Sequence, residues 1–227
     1  MSSLFSRIKL MPFTKFDAIL FDKDGTIFDS EQVCCDAWLA TAKAFDVHFT
    51  TDMFKRFIGI PTHECNQMAH RDFGLDFPMN DFILEIRRYI SDQKRQGLPI
   101  KKGFERFFSY ILENKVPVGV VTSSGYDSAV ESFQQTDYMQ ALDVLVTFDD
   151  ITNPKPAPDC YLLACQKLSV SPNRVLVFED SNVGIQASLA AGCQTIAIPD
   201  LVELDPRLLT RCHHTLASFD EAYAILN

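Results

Sequence analysis

Five short apolar runs, most of them ending in polar or acidic residues, constrain this chain more than anything else in it. They are "AILFD" (18–22), "VPVGVVT" (116–122), "DVLVT" (143–147), "RVLVFED" (174–180) and "TIAIP" (195–199). Each is rich in residues that suit a pleated, buried segment and is expected to be a strand. Continuous rather than alternating apolar character fits strands covered on both faces. Residues 126–135, 158–168 and 182–191 carry helical patterns between them. Strands alternating with helices predict an α/β fold: a doubly wound, Rossmann-like, parallel five-stranded sheet.

The texture differs between Ser30 and about Pro99. Helical periodicity takes over in "EQVCCDAWLATAKAF", "TDMFKRFI", "THECNQMAHRDF" and "NDFILEIRRYISDQKRQG". Breakers at Gly59-Ile60-Pro61, Pro78 and Gly97-Leu98-Pro99 separate these segments. The expected organisation is a core from residues 1–29 and 100–227, with an all-helical cap domain, 30–99, inserted after the first strand. The first sixteen residues lack the apolar centre of a secretory signal and read as a short leader.

With 227 residues the chain can bury a substantial core. A net charge of −9 argues against nucleic acid and anionic membranes as partners. An acidic protein that handles an anionic substrate needs a local cation. The seven cysteines, an odd number with no C-x-x-C pair, argue against a disulfide framework or structural zinc site and favour a reduced, cytoplasmic compartment. A monomer is the expected state.

Ligands of open parallel sheets bind beyond the carboxyl ends of the strands. The first run ends at Asp22-Lys23-Asp24-Gly25-Thr26 and the second at Thr122-Ser123-Ser124-Gly125. The third leads to Asp149, Asp150 and "NPKPAPD" with Lys155; the fourth ends at Glu179-Asp180-Ser181-Asn182. Asp22 and Asp180 offer hard oxygens suited to Mg²⁺, which would offset the repulsion of the cluster and draw in a phosphate. Lys155 adds a positive charge, and the Thr122 hydroxyl and backbone N–H groups can hold phosphoryl oxygens. The combination reads as a phosphate site.

"FDKDGT", "VVTSS", "KPAPD" and "FEDSNVGIQASLAAG", in this order, resemble the four motifs of the haloacid dehalogenase superfamily. The helical insertion resembles the cap of its branch containing phosphoglycolate phosphatases and β-phosphoglucomutases. The resemblance implies a Mg²⁺-dependent phosphatase acting on a small phosphorylated metabolite, either a sugar phosphate or a short phosphorylated acid. It implies Asp22 as the nucleophile that forms an aspartyl-phosphate and Asp24 as the general acid/base. Thr122, Ser123 and Lys155 are implied as phosphate-binding residues, the first and last also catalytic. Asp22, the Asp24 backbone carbonyl and Asp180 would bind Mg²⁺, with Glu179 either a water-bridged ligand or a partner behind the ligands. Asp24 favours phosphate-ester chemistry over the carbon-attacking and phosphonate-cleaving branches.

Two alternatives remain. A β-phosphoglucomutase-like enzyme shares these residues, but its branch places a histidine where Cys34 stands, four residues before Trp38, and a cap arginine where Thr62 stands. Arg56 is the expected spatial substitute. A catalytically idle metabolite sensor on the same scaffold is the third reading. Asp29 reads equally as a helix cap or a site residue, Lys23 as pointing away from the aspartates, and Ser124 as a strand end. The five histidines read as structural or exposed, and "RRYISDQKRQ" (87–96) as a solvated helix face from which one cation can meet a distal substrate charge.

Overall fold

The computed structural model describes residues 15–58, 62–201 and 203–222. Strands β1 (Ala18–Phe21), β2 (Val118–Val121), β3 (Val144–Val146), β4 (Val175–Glu179), β5 (Gln194–Ala197) and β6 (His214–Thr215) form one sheet. Every neighbouring pair is parallel, in the order β3-β2-β1-β4-β5-β6. The sheet thus has one strand more than the expected five. β6 comprises two exposed residues, too few for any apolar period to register.

From β1 the chain adds strands in both directions, β2 on one side and β4 on the other. Such a reversal opens a crevice at the carboxyl ends of the central strands. Helices α1 (Ser30–Ala44), α2 (Thr51–Lys55), α3 (Thr62–Phe73) and α4 (Met79–Gln96) follow β1 without a strand between them. Helices α5 (Phe104–Glu113), α6 (Tyr126–Phe133), α7 (Asp159–Leu168), α8 (Asn182–Ala191) and α9 (Pro206–Leu209) complete the fold. The sequence reading assigns no element to α5, although Phe104, Phe107, Phe108 and Ile111 recur at helical spacing and are all buried.

Side chains of β1 alternate between the two faces of the sheet. Ile19 and Phe21 enter a cluster with Phe104 and Phe107 of α5, Phe178 and Phe219. Ala18 and Leu20 enter another with Tyr161 and Ala164 of α7 and Ala187 of α8. Phe21 centres the first cluster: its ring stacks on Phe178 at 5.2 Å and meets Phe104 edge-on at 5.2 Å. Burial on both faces fixes the heights of the strands, and hence where their ends stand.

Helices α1 to α4 gather around a separate apolar centre in which Trp38 meets Phe49, Phe57 and Phe82 at 5.2, 4.9 and 5.4 Å. Pro78 precedes α4 and Gly97 follows it, so two of the breakers stand where helices begin and end. The Gly59-Ile60-Pro61 breaker and the leader up to residue 14 lie outside the described residues. The basic run is not uniformly solvated: Lys94 of α4 donates to Glu131 Oε2 at 3.3 Å and Ser128 Oγ at 2.8 Å, tying α4 to α6. Arg95 pairs with Asp92 on its own helix. No described helix is long and apolar enough to cross a membrane.

Phe21→Ala removes the ring on which the first sheet face converges. It is expected to lower the free energy of unfolding by about 3–5 kcal/mol, read from urea denaturation. A loss below about 1 kcal/mol would mean that the face repacks around the gap.

Candidate active site

The backbone of β1 continues one residue past the strand, where Asp22 N–H donates to Phe178 O of β4 at 3.0 Å. Asp22 is therefore locked at the head of the central strand. The chain then turns: Gly25 N–H donates to Phe28 O at 2.8 Å, and Gly25 adopts φ +79°, which costs a residue without a side chain little. The turn sets Thr26 beside β4, where its hydroxyl donates to Asp180 Oδ1 at 3.1 Å.

Four strand ends supply one cavity of about 380 Å³, lined among others by Asp22, Asp24, Thr122, Ser123, Lys155 and Asp180. Lys155 reaches in from the loop before α7 and donates to Asp22 Oδ1 at 2.6 Å and Glu179 Oε1 at 2.7 Å. Burial alone would push its ammonium down, but the Asp22 and Glu179 charges outweigh burial and hold it well above the usual lysine range. Burial pushes the Asp22 carboxyl up to about 7 against the pull of Lys155, with Glu179 adding to the rise. Asp180 also lies well above the carboxylate range, through burial and then the Asp22 and Glu179 charges.

Glu179 is fully buried, with both oxygens committed. Oε1 accepts from Lys155 and from the Tyr161 hydroxyl at 2.8 Å. Oε2 accepts from the backbone N–H groups of Asp180 and Ser181, each at 3.1 Å, and from Ser181 Oγ at 3.0 Å. Gly184 makes room for it, since a methyl there would stand 1.7 Å from Glu179 Oε1.

Asp24 is held differently. Its Oδ1 accepts from Lys23 Nζ at 2.7 Å and Ser30 Oγ at 2.9 Å, and its Oδ2 from Ser124 Oγ at 2.9 Å. Burial opposes its charge, but Lys23 and the two hydroxyls outweigh burial and keep the carboxyl below the usual range. Lys23 does not turn away from the aspartates: it is buried, bridging Asp24 and Ser132 Oγ of α6, because the turn ends the alternation of β1. Ser124 is more than a strand end, since its hydroxyl helps to hold Asp24.

Thr122 is buried, with its Oγ1 accepting from Ser124 N–H at 3.1 Å, while Ser123 is exposed at the rim. Asp149 accepts from Tyr126 N–H, and Asp150 closes a capping box with Thr147, so both brace loops outside the cavity. Asp29 makes no side-chain cap bond; its Oδ1 lies 3.7 Å from Lys101 Nζ. Arg56 is exposed, 3.3 Å from Asp72, and is not part of the cavity wall. The side chains of Thr62 and His63 lie outside the described set, and His48, His70, His213 and His214 do not line this cavity. The seven cysteines carry free thiols.

Two acidic residues of the wall are not expected from the sequence. Asp200 follows β5, whose carboxyl end obeys the same strand-end rule as the others. Glu31, in the first turn of α1, lines both this cavity and a neighbouring one of about 240 Å³ among α1 to α4. Burial pushes Glu31 up to about 7, with the Asp24 and Asp200 charges adding to it. Helical spacing within the insertion leaves unsaid which of its residues face the strand ends, so no local signal marks Glu31.

Asp22, Glu179 and Asp180 each offer an oxygen within 4.8 Å of the others. Five donors reach Glu179, whereas Asp22 and Asp180 each accept one side-chain hydrogen bond and so have oxygens less engaged by donors. Asp200 Oδ2 is buried close by without a hydrogen-bond partner. Crowded, desolvated carboxylates around one buried ammonium form a donor set that fits a divalent cation of the Mg²⁺ kind.

Residues 19–198 match the family described as haloacid dehalogenase-like hydrolase. The chain is 27% identical over 184 residues to a phosphorylated carbohydrates phosphatase of Thermotoga maritima, spanning 79% of this chain and 83% of that one. It is 30% identical over 177 residues to a validoxylamine A 7'-phosphate phosphatase of Streptomyces hygroscopicus subsp. limoneus, spanning 78% and 83%. Its fold matches the crystal structure of a HAD family hydrolase from Deinococcus radiodurans R1 with bound phosphate and sodium, with a TM-score of 0.79 at 23% identity, covering 93% and 95% of the two chains. With the family model spanning most of its length and the strand ends of its sheet meeting in one acidic cavity around a lysine, this chain belongs to the haloacid dehalogenase-like hydrolases.

Proposed function

We propose that the protein is a Mg²⁺-dependent phosphoric monoester hydrolase that releases phosphate from a small phosphorylated metabolite through an aspartyl-phosphate on Asp22. The observation that carries this reading is the Lys155 ammonium 2.6 Å from Asp22 Oδ1, at the head of the central strand, with Asp180 beside them. Phosphatases among its relatives act on sugar or polyol phosphates by name, including a fructose-1-phosphate phosphatase and a hexitol phosphatase.

In this reading Asp22 attacks phosphorus in line and the alcohol leaves. Lys155, the Thr122 hydroxyl and backbone N–H groups near Ser123 hold the oxygens on which charge develops. Asp22, Asp180 and the Asp24 backbone carbonyl would hold Mg²⁺, which supplies charge neutralisation that lets an anion approach a carboxylate cluster. Glu179 acts behind them in this reading, its oxygens fixing Lys155 and the start of α8 rather than serving as the main ligands. Asp24 rests as a carboxylate, the form that draws a proton from water when the intermediate is hydrolysed. To protonate the leaving alcohol first, it must take up a proton and loosen its bond to Lys23. Residues 30–99 form the cap domain, closing over the cavity for the first step and opening for release.

The cavity wall also bears on the substrate. Where α1 meets the strand ends, the wall offers Glu31 and Asp200, while Lys101 is already bonded to Asp200. A leaving group with hydroxyls can donate to Glu31, whereas a carboxylate or second phosphate meets the negative charge of this acidic wall. A sugar or polyol phosphate is therefore the substrate class, ahead of a phosphorylated acid. The same wall disfavours the mutase, which must hold a second phosphate.

Asp22→Asn should reduce hydrolysis of p-nitrophenyl phosphate by roughly 10³-fold or more while circular dichroism shows the fold retained; appreciable turnover would remove Asp22 from its role. Treatment with EDTA should silence the enzyme and Mg²⁺ restore it, and indifference to the chelator would argue against a cation at the carboxylates. Across a panel of phosphate esters, kcat/KM should favour hexose and polyol phosphates over phosphoglycolate by at least about tenfold. A preference for the acid would overturn the substrate assignment, and isomerisation of a sugar phosphate primed by a bisphosphate would establish the mutase.

A further inference from the structure

Asp200 stands apart from the residues assigned so far. It lies beyond β5, which pairs with β4 in the register Glu179↔Ala197, and Ile198 N–H donates to Glu179 O at 2.8 Å. That pairing carries Ile198-Pro199-Asp200 past the sheet edge at the height of Asp180. One carboxylate oxygen is anchored: Oδ1 accepts from Lys101 Nζ at 2.5 Å, and Lys101 is itself fixed by its backbone bond to Ile27 O at 2.9 Å. The other, Oδ2, is buried with no hydrogen-bond partner, on a side chain only 9% exposed.

A buried carboxylate oxygen without a donor is destabilising, and native folds rarely tolerate one without a role. The surroundings show where Oδ2 points. A methyl group on Gly25 would stand 2.1 Å from Asp180 Oδ2 and 3.3 Å from Asp200 Oδ2. Both oxygens therefore look over the Gly25 Cα, and the missing side chain leaves a cradle between them. The Gly25 Cα donates nothing to Oδ2, and once a cation sits on Asp22 and Asp180 the Asp180 carboxylate only accepts. A hydrated divalent cation on Asp180 brings water protons to this place, since Mg²⁺ keeps several of its waters.

We propose that Asp200 is a positioning residue for the cation: its Oδ2 accepts from the hydration shell of a divalent ion held by Asp22 and Asp180, while Lys101 fixes the carboxylate from behind. The proposal rests on the cation reading above. It makes the Lys101-Asp200 pair part of the site's support, separate from the Glu179 bonds that fix Lys155.

The test is the affinity of the substrate-free protein for Mn²⁺, measured by electron paramagnetic resonance, beside its melting temperature. Asp200→Asn keeps the shape and the acceptor for Lys101 but turns a donor toward the cation; it should weaken Mn²⁺ binding roughly 10–100-fold. Asp200→Ser, which removes the carboxylate in a smaller side chain, should do the same and serves if the amide variant fails to fold. Asp29→Asn deletes an equal charge on the outer side of Lys101 and should leave affinity within about threefold, as screening of an exposed charge predicts. An Asp200 variant that binds Mn²⁺ within about twofold of wild type, or an equal loss in Asp29→Asn, would overturn the proposal, whatever happens to the melting temperature. Failure of the wild-type protein to bind Mn²⁺ would instead overturn the cation reading, and this proposal with it.

Discussion

One buried ion pair supports the rest of this site. Asp22 and Glu179 end neighbouring strands with their carboxylates desolvated, an arrangement that repels itself in the absence of a positive charge. Lys155 stands between them at 2.6 and 2.7 Å and supplies that charge from a third segment of the chain. Charges taken from water, three in this cluster, are retained only when nearly every hydrogen-bonding position is satisfied. Glu179 meets that condition with five donors, and Tyr161 and the start of α8 exist in their present places to provide some of them.

The fold makes this arrangement possible by separating two tasks. Phenylalanines on one face of β1 and small aliphatic residues on the other hold strand heights through apolar packing alone. The charged groups of the site gather at the carboxyl edge, where the order of strands reverses around β1. Helices α1 to α4 keep their own aromatic centre and touch the core of the sheet through Val33 of α1, so they can form one wall of the cavity while most of their apolar faces pack on one another. Their contribution enters through the first turn of α1, where Ser30 holds Asp24 and Glu31 faces the cavity.

The strands and the strand-end residues are legible in the sequence because both arise from local pattern: a buried parallel strand is a short apolar run, and the residues just beyond it face the crevice. Asp22, Thr122, Lys155 and Asp180 do meet in one cavity. Asp200 obeys the same rule at the fifth run, which it follows directly after Pro199. Lys23 misleads because alternation ends where the turn at Gly25 begins. The α5 helix has its signal in four buried apolar positions, whereas β6 has none. Glu31 is out of reach for a different reason: a helical period reports a face, and which neighbour that face meets is decided by packing between distant segments.

The account therefore stands on Asp22 as the group that receives phosphorus, with Lys155 and a divalent ion on Asp180 balancing charge around it. A crystal structure of the protein with Mg²⁺ and beryllium fluoride tests this directly, because that complex mimics a phosphoryl group attached to a carboxylate. The account predicts beryllium bonded to an Asp22 oxygen, Lys155 on the fluorides and the ion shared by Asp22 and Asp180. A fluoride complex bound elsewhere, or an ion that leaves Asp180 untouched, would contradict it.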